Sequence, residues 1–143
     1  MYAPLIITTA VRINETPTAF WGEPIHVYTR AQAIADGVLV DAQVGDLQQV
    51  SRQHFGDTPV AMTAALFALI EKAVNNPKYR NDYRGVWHDI CWMSRVTPSR
   101  AREVVYFKVI IAGTGRKRLH LLKRVMTLGE SGPEVTFMLP DED

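Results

Sequence analysis

The sequence predicts an α+β protein: a single domain in which three to four helices pack on a C-terminal three-stranded antiparallel meander. Three observations lead to this class. The chain has 143 residues, the size of one ordinary domain, and its apolar fraction of 47% is enough for a real hydrophobic core. Helical patterns fill the middle of the chain, and alternating patterns fill the last third. Helices followed by hairpins are typical of α+β folds rather than of βαβ repeats.

The chain is expected to have three parts. Residues 1–24 are predicted to form an irregular N-terminal segment, because prolines and a glycine interrupt it. Residues 25–140 are predicted to form the single α+β domain. Residues 141–143 are all acidic and predict a solvated tail.

The domain begins with short elements. Residues 25–28 alternate between apolar and polar side chains, which predicts a strand. Thr29 is a good N-cap for a short helix over residues 30–36, and Gly37 supplies its stop. Residues 38–41 are short and rich in valine, so they are predicted to be extended.

Two helices are expected in the middle of the chain. Asp46 is predicted to cap a helix over residues 47–55. Thr58-Pro59 places a cap residue before a proline, which predicts that a longer helix begins there and runs over residues 60–74. Apolar side chains cover nearly all of its faces at first, which indicates a central, buried helix.

A further helix is predicted over residues 85–96, where apolar residues recur at helical spacing. Trp87 and Trp92 diverge in direction on it, so we expect one to pack inward and the other to be a surface anchor. Cys91 is the single cysteine of the chain and is expected to be a small core residue. Its neighbour His88 does not make a metal site with it, because two more ligands would be needed.

The last third of the chain predicts three strands. Residues 105–111, 119–128 and 134–139 are the strand segments, with turns at 113–117 and 129–133. Short connections of this kind join neighbouring antiparallel strands, so the three segments predict a meander.

The net charge of +1 conceals an uneven distribution. The segment from Arg95 to Arg124 contains nine basic residues and one acidic residue, a net charge of +8, and the rest of the chain carries −7. Such a segment indicates a binding surface for nucleic acid or for an acidic protein. The alternative is that these side chains are merely solvated and discourage edge pairing. The residues predicted to form the basic binding surface are Arg95, Arg100, Arg102, Arg116, Lys117, Arg118, Lys123 and Arg124.

An alternative ligand pocket is predicted at His26, Tyr28 and Arg30. A strand histidine that leads into a short helix resembles the opening of ADP-ribosyltransferase-like folds, in which such a histidine holds a ribose. This resemblance implies a small nucleotide-binding enzyme as the alternative function. No catalytic residue, cofactor or metal is predicted elsewhere in the chain.

The segment YTRAQAIADGVLVD, residues 28–41, resembles the opening signature of an uncharacterised family of small proteins that bacterial phages, plasmids and other mobile elements carry. Segments 59–65, 87–93 and 135–140 fit the same family in order. The resemblance implies a biological setting, not an activity. Together with the absence of an apolar stretch of roughly 18 residues, it leads us to expect a cytoplasmic protein in a bacterial host cell with no membrane partner.

We therefore expect a non-enzymatic binding protein of a mobile element. It would antagonise a host defence system, in the manner of an anti-CRISPR protein, by occupying a protein or nucleic-acid site. The expected partner is a host protein or ribonucleoprotein complex, with nucleic acid bound through the basic C-terminal third. A plasmid accessory factor is a further alternative.

Overall fold

The computed structural model describes residues 28–143, within which the chain forms four α-helices, one 3-10 helix and five strands. The predictions for residues 1–27 lie outside the described residues. The chain divides into two compact units, and the described residues of the first are 28–39 and Asp143, while the second is Val40–Glu142. The predicted domain bounds of 25–140 stay a prediction. Within the described residues, no helix has both the length and the apolar character needed to cross a membrane.

The first unit contains helix α1, Arg30–Ala35, which begins as predicted and ends one residue before the predicted end. The Thr29 hydroxyl accepts a hydrogen bond from the backbone N–H of Gln32 at 3.1 Å, and the Gln32 side chain accepts one from the Thr29 N–H at 2.8 Å. This reciprocal pair satisfies two N–H groups that the first turn leaves without partners. Gly37, at φ 78°, ends the helix. Strand β1, Leu39–Asp41, follows in the segment predicted to be extended.

A 3-10 helix, Gly45–Leu47, leads into helix α2, Gln48–Phe55. The prediction that Asp46 caps this helix is wrong, because Asp46 lies inside the 3-10 turn and makes no capping hydrogen bond. The tight turn itself supplies the missing contact, since the N–H of Gln48 donates to the carbonyl of Gly45. Gly56 ends α2 at φ 62°, as predicted.

The helix predicted over residues 60–74 is wrong in its first turn. Strand β2 occupies Val60–Thr63, and helix α3 occupies Ala64–Val74. All four residues of β2 are buried, and a strand that is buried on both faces gives an unbroken apolar run rather than an alternating one. Thr63 then caps α3 by accepting a hydrogen bond from the N–H of Leu66 at 3.3 Å.

Helix α4 occupies Tyr83–Val96, so it begins two residues before the predicted start. Asp82 is its N-cap, and the carboxylate accepts a hydrogen bond from the N–H of Gly85 at 2.7 Å. The helix ends before Thr97-Pro98, as predicted.

The strands β3, Val104–Ile110, β4, Leu119–Gly129, and β5, Gly132–Met138, form the predicted antiparallel meander. The complete sheet is larger, with the order β1-β2-β5-β4-β3 and with β2 parallel to β5. The α+β class is therefore confirmed, whereas a sheet of only three antiparallel strands is wrong. The error follows from β2, because pairing of Val60 with Val135 joins distant parts of the chain that periodicity does not relate.

The core fixes α2 against α4. Trp87 is fully buried and meets Phe137 edge to face, with ring centroids 4.9 Å apart. Its indole N–H donates to the Ser51 hydroxyl at 2.9 Å, and that hydroxyl donates to the carbonyl of Ala42. Because both polar groups are satisfied in the core, they hold the two helices in one register. This register brings the last turn of α2, with His54, beside α4.

Candidate functional site

The structure does not gather the eight predicted basic residues on one surface. Arg100 and Arg102 are exposed in the segment before β3, at one end of the β3–β4 hairpin. The basic turn, which we define as Arg116, Lys117 and Arg118, lies at the other end. The seven residues of β3 separate these ends by about 24 Å.

Lys123 and Arg124 are neighbours in β4 and therefore point to opposite faces of the sheet. Lys123 is only 8% exposed, and its ammonium donates to the backbone carbonyl of Glu142. The Glu142 carboxylate in turn accepts hydrogen bonds from the Thr63 hydroxyl at 2.7 Å and from the N–H of Leu139 at 2.8 Å. Lys123 thus holds the end of the chain, and its charge is engaged within the protein.

The basic turn is exposed at its tip and anchored at its base. Arg118 lies over the ring of Tyr79, with its guanidinium carbon 5.8 Å from the ring centroid, and donates to the hydroxyl at 3.5 Å. Below it, the Asn81 amide donates to the carbonyl of Ala73 at 3.2 Å and to that of Ala112 at 2.8 Å. The loop is therefore held at the end of α3, while its tip presents charge to solvent.

A second group of cations lies where α2, α4 and β4 meet. We call His54, His88, Arg95 and Arg124 the histidine–arginine cluster. Nε2 of His54 is 3.0 Å from Nδ1 of His88, and Nη1 of Arg95 is 3.1 Å from Nδ1 of His54. The cluster thus joins two of the predicted basic residues to two histidines that were not predicted to belong to the surface.

Arg95 sets the proton positions in this chain of contacts. A guanidinium only donates hydrogen bonds, so Nδ1 of His54 must accept one. His54 is then neutral and donates from Nε2 to Nδ1 of His88. The remaining N–H of His88 is on Nε2, directed away from His54. The pKa of His54 lies below its usual value, because burial disfavours the charged form and because His88 and Arg95 add positive charge nearby.

Arg124 is the half-buried member of the cluster. Its Nη1 donates to the carbonyl and to the hydroxyl of Ser94, at 3.1 and 3.2 Å, and its guanidinium lies over the Phe55 ring at 5.9 Å. Its Nε is buried and has no hydrogen-bond partner among the described residues. Burial lowers the pKa of Arg124, and the charge of Arg95 lowers it further.

An aromatic surface adjoins the cluster. Trp92 is 51% exposed, and its ring is nearly parallel to that of His88, with an interplanar angle of 19° and centroids 6.4 Å apart. The prediction that one of the two tryptophans of this helix packs inward and the other faces solvent is confirmed, since Trp87 is the buried one. Cys91 is buried behind them, as expected, and burial raises the pKa of its thiol.

The alternative ligand pocket falls partly outside the described residues, because His26 lies there. The Tyr28 hydroxyl donates to the Asp36 carboxylate at 2.8 Å, and Arg30 is the first residue of α1. Tyr28 and Arg30 thus belong to the first unit, and the cluster belongs to the second.

No signal in the sequence relates His54 to its partners. It is 34 positions from His88 and 41 from Arg95, well beyond the three or four positions over which helical spacing predicts contact. The spacing of Trp92 from His88 does predict contact, since they are four apart on one helix. Comparison with known proteins found no matching family model, no similar curated protein and no similar solved structure.

Proposed function

We propose that this chain is a non-enzymatic binding protein of a phage or another mobile element. It attaches to an anionic surface of a host protein or ribonucleoprotein complex and thereby antagonises a host defence system. The observation that supports this proposal is the unpaired positive charge of residues 95–124. Among the described residues, none of its nine basic side chains lies within 4.0 Å of a carboxylate. The ion pair described in residues 28–143 joins Arg52 and Asp57, 3.7 Å apart.

The exposed part of this charge is available to a partner because no carboxylate of residues 28–143 lies within 4.0 Å of it. Clustered charge of one sign raises the encounter rate with an oppositely charged surface and makes association sensitive to salt. The chain carries 15 acidic residues, but within residues 28–143 none of them pairs with the basic side chains of residues 95–124. The exposed cations of this segment, at residues 95, 100, 102, 108 and 116–118, therefore direct their charge to solvent.

The spacing of the cations fits a macromolecule. Arg118, at the basic turn just before β4, and Arg124, in the histidine–arginine cluster, are six positions apart, a distance of about 20 Å along the strand. A small ligand does not span that distance, whereas a protein surface or a nucleic acid does. Occupying such a surface on a defence complex would block the site without any reaction.

The test is a phage challenge of bacteria that carry an active CRISPR effector complex. We expect expression of the wild-type chain to restore plaque formation. Reversal of the basic turn by Arg116→Glu, Lys117→Glu and Arg118→Glu should weaken binding to the host complex roughly tenfold or more, because each reversed charge then repels the partner. Binding is measured between purified components at two salt concentrations.

The matched control adds negative charge elsewhere. Gln48→Glu, Gln49→Glu and Arg52→Glu change exposed positions on α2, and this variant should protect phage as the wild type does. If the wild-type chain protects no phage, the proposed function is wrong. If the reversed basic turn protects fully, that turn is only a solvated surface.

A further inference from the structure

We propose that the histidine–arginine cluster and Trp92 form a binding site for single-stranded nucleic acid, in which a backbone phosphate lies on the two arginines and an unpaired base stacks on the indole. The inference rests on the proposed function, because it identifies the chemistry of the anionic partner.

The phosphate part of the site follows from the placement of the two arginines. Arg124 bonds Ser94, the chain neighbour of Arg95, and lies over Phe55, the chain neighbour of His54, to which Arg95 is bonded. Both arginines thus lie where α2 meets α4, and neither has a carboxylate within 4.0 Å among residues 28–143. Two like charges held together repel each other, and an anion between them removes that repulsion. Guanidinium groups present paired N–H donors that match phosphate oxygens.

The histidines extend the donor set. Because Arg95 fixes His54 as an acceptor on Nδ1, the hydrogen-bond direction runs from Arg95 through His54 to His88. It leaves the N–H on Nε2 of His88, next to Trp92, as a donor to a ligand. Phosphate and sugar oxygens accept such hydrogen bonds.

The base part of the site is Trp92. The indole is nearly parallel to the His88 ring, with centroids 6.4 Å apart, and about half of the Trp92 side chain, 51%, is exposed. An exposed aromatic ring beside clustered cations is the arrangement by which proteins bind single strands, since every base has a face that can stack. An acidic protein surface would use the cations but would gain less from the ring. A duplex keeps its bases stacked inside, so the ring also favours a single strand.

The experiment measures the fluorescence anisotropy of a fluorescein-labelled oligothymidylate of about 12 nucleotides with the full-length chain. We expect Trp92→Ala to weaken binding by roughly 5- to 150-fold, the range for loss of one aromatic–base stack. Arg95→Gln should reduce the slope of log affinity against log salt by about 1, as expected for one phosphate contact. Arg95 is exposed, so this substitution leaves the core intact.

The matched control is Tyr106→Ala. Tyr106 is as exposed as Trp92, at 52%, but lies on the opposite face of the sheet from the cluster, so its removal should leave binding unchanged. The inference is overturned if Trp92→Ala and Arg95→Gln bind the oligonucleotide as the wild type does. It is also overturned if poly-glutamate displaces the oligonucleotide at equal charge concentration and binds the Trp92→Ala variant as well as the wild type, because the partner is then an acidic protein.

The two proposals fail separately. If the wild-type chain protects phage and Trp92→Ala protects equally, the host partner is bound without this site, and the inference alone is wrong. If the wild-type chain binds the oligonucleotide through Trp92 but protects no phage, the site exists and the proposed function is wrong.

Discussion

The histidine–arginine cluster and the basic turn carry similar charge but are built differently. The cluster lies on two helices and a strand. Its arginines contact the His54 ring, the backbone carbonyl of Ser94 and the Phe55 ring. The basic turn lies in a loop, where two of its three cations are exposed without a described contact. A charge in the cluster therefore takes part in contacts that hold the fold, whereas the charges at the tip of the turn face solvent.

Arg124 shows why the cluster depends on the fold. In an α-helix, the carbonyl of Ser94 would accept from the N–H four residues later, but that residue is Pro98, which has none. The Nη1 of Arg124 takes this place, at 3.1 Å. The arginine is thus a hydrogen-bond partner for the end of α4 as well as a cation of the candidate site.

The comparison is tested most strongly by replacing one arginine from each region with an apolar side chain. Arg124→Met leaves the Ser94 carbonyl without its partner, and we expect the free energy of unfolding to fall by about 2–3 kcal/mol. Arg116→Met should change it by less than about 0.5 kcal/mol, since Arg116 is exposed. Denaturant unfolding followed by tryptophan fluorescence measures both. Equal effects from the two substitutions would remove the distinction between the regions.

A smaller effect is expected at the base of the basic turn. Asn81→Ala removes hydrogen bonds to the carbonyls of Ala73 and Ala112, and we expect a loss of about 1–2 kcal/mol. Hydrogen exchange should become faster in the loop that follows Ala112. Asn75→Ala, at an exposed position that ends α3, is the matched control. If the loop exchanges at the wild-type rate in Asn81→Ala, the turn is positioned by other contacts.

The smallest effect concerns pH, and it compares one histidine from each region. Burial is the main cause that lowers the pKa of His54 in the cluster and of His120 at the base of the turn, with His88 and Arg95 adding to the first and Lys117 to the second. A histidine whose pKa is lower in the folded state binds more protons when unfolded. The free energy of unfolding should therefore be highest above the unfolded-state pKa of about 6.5, and it should decrease as the pH falls through that value.

The decrease is expected to be less than about 1.4 kcal/mol per pH unit for each histidine. Chemical unfolding of the wild type, His54→Gln and His120→Gln between about pH 5.5 and 7.5 at constant ionic strength measures it. In each variant, the free energy of unfolding should depend less steeply on pH than in the wild type, because one of the two histidines is absent. A wild-type stability that is flat over this range, or that rises on acidification, would contradict the assignment.

Local signals in the sequence determined much of the fold. The capping pair of Thr29 and Gln32 and the stop at Gly37 were predictable because they involve residues at most a few positions apart. The same holds for the meander and for the divergence of Trp87 and Trp92, which follow from the alternation of strands and from helical spacing. Which of the two tryptophans is buried was decided by the structure. The charge distribution also belongs to the sequence, since it is a property of composition along the chain.

Tertiary structure decided the rest. It made residues 60–63 a strand, because pairing with β5 outweighed a start signal at Thr58-Pro59 that is equally compatible with a helix. It also brought Arg124 to Ser94, 30 positions away. The sequence by itself determined how many cations this segment carries, and only the packing of α2, α4 and β4 decided which of them share a site. The physical reason is that side chains distant in sequence meet through the burial of a common core, which no local pattern encodes.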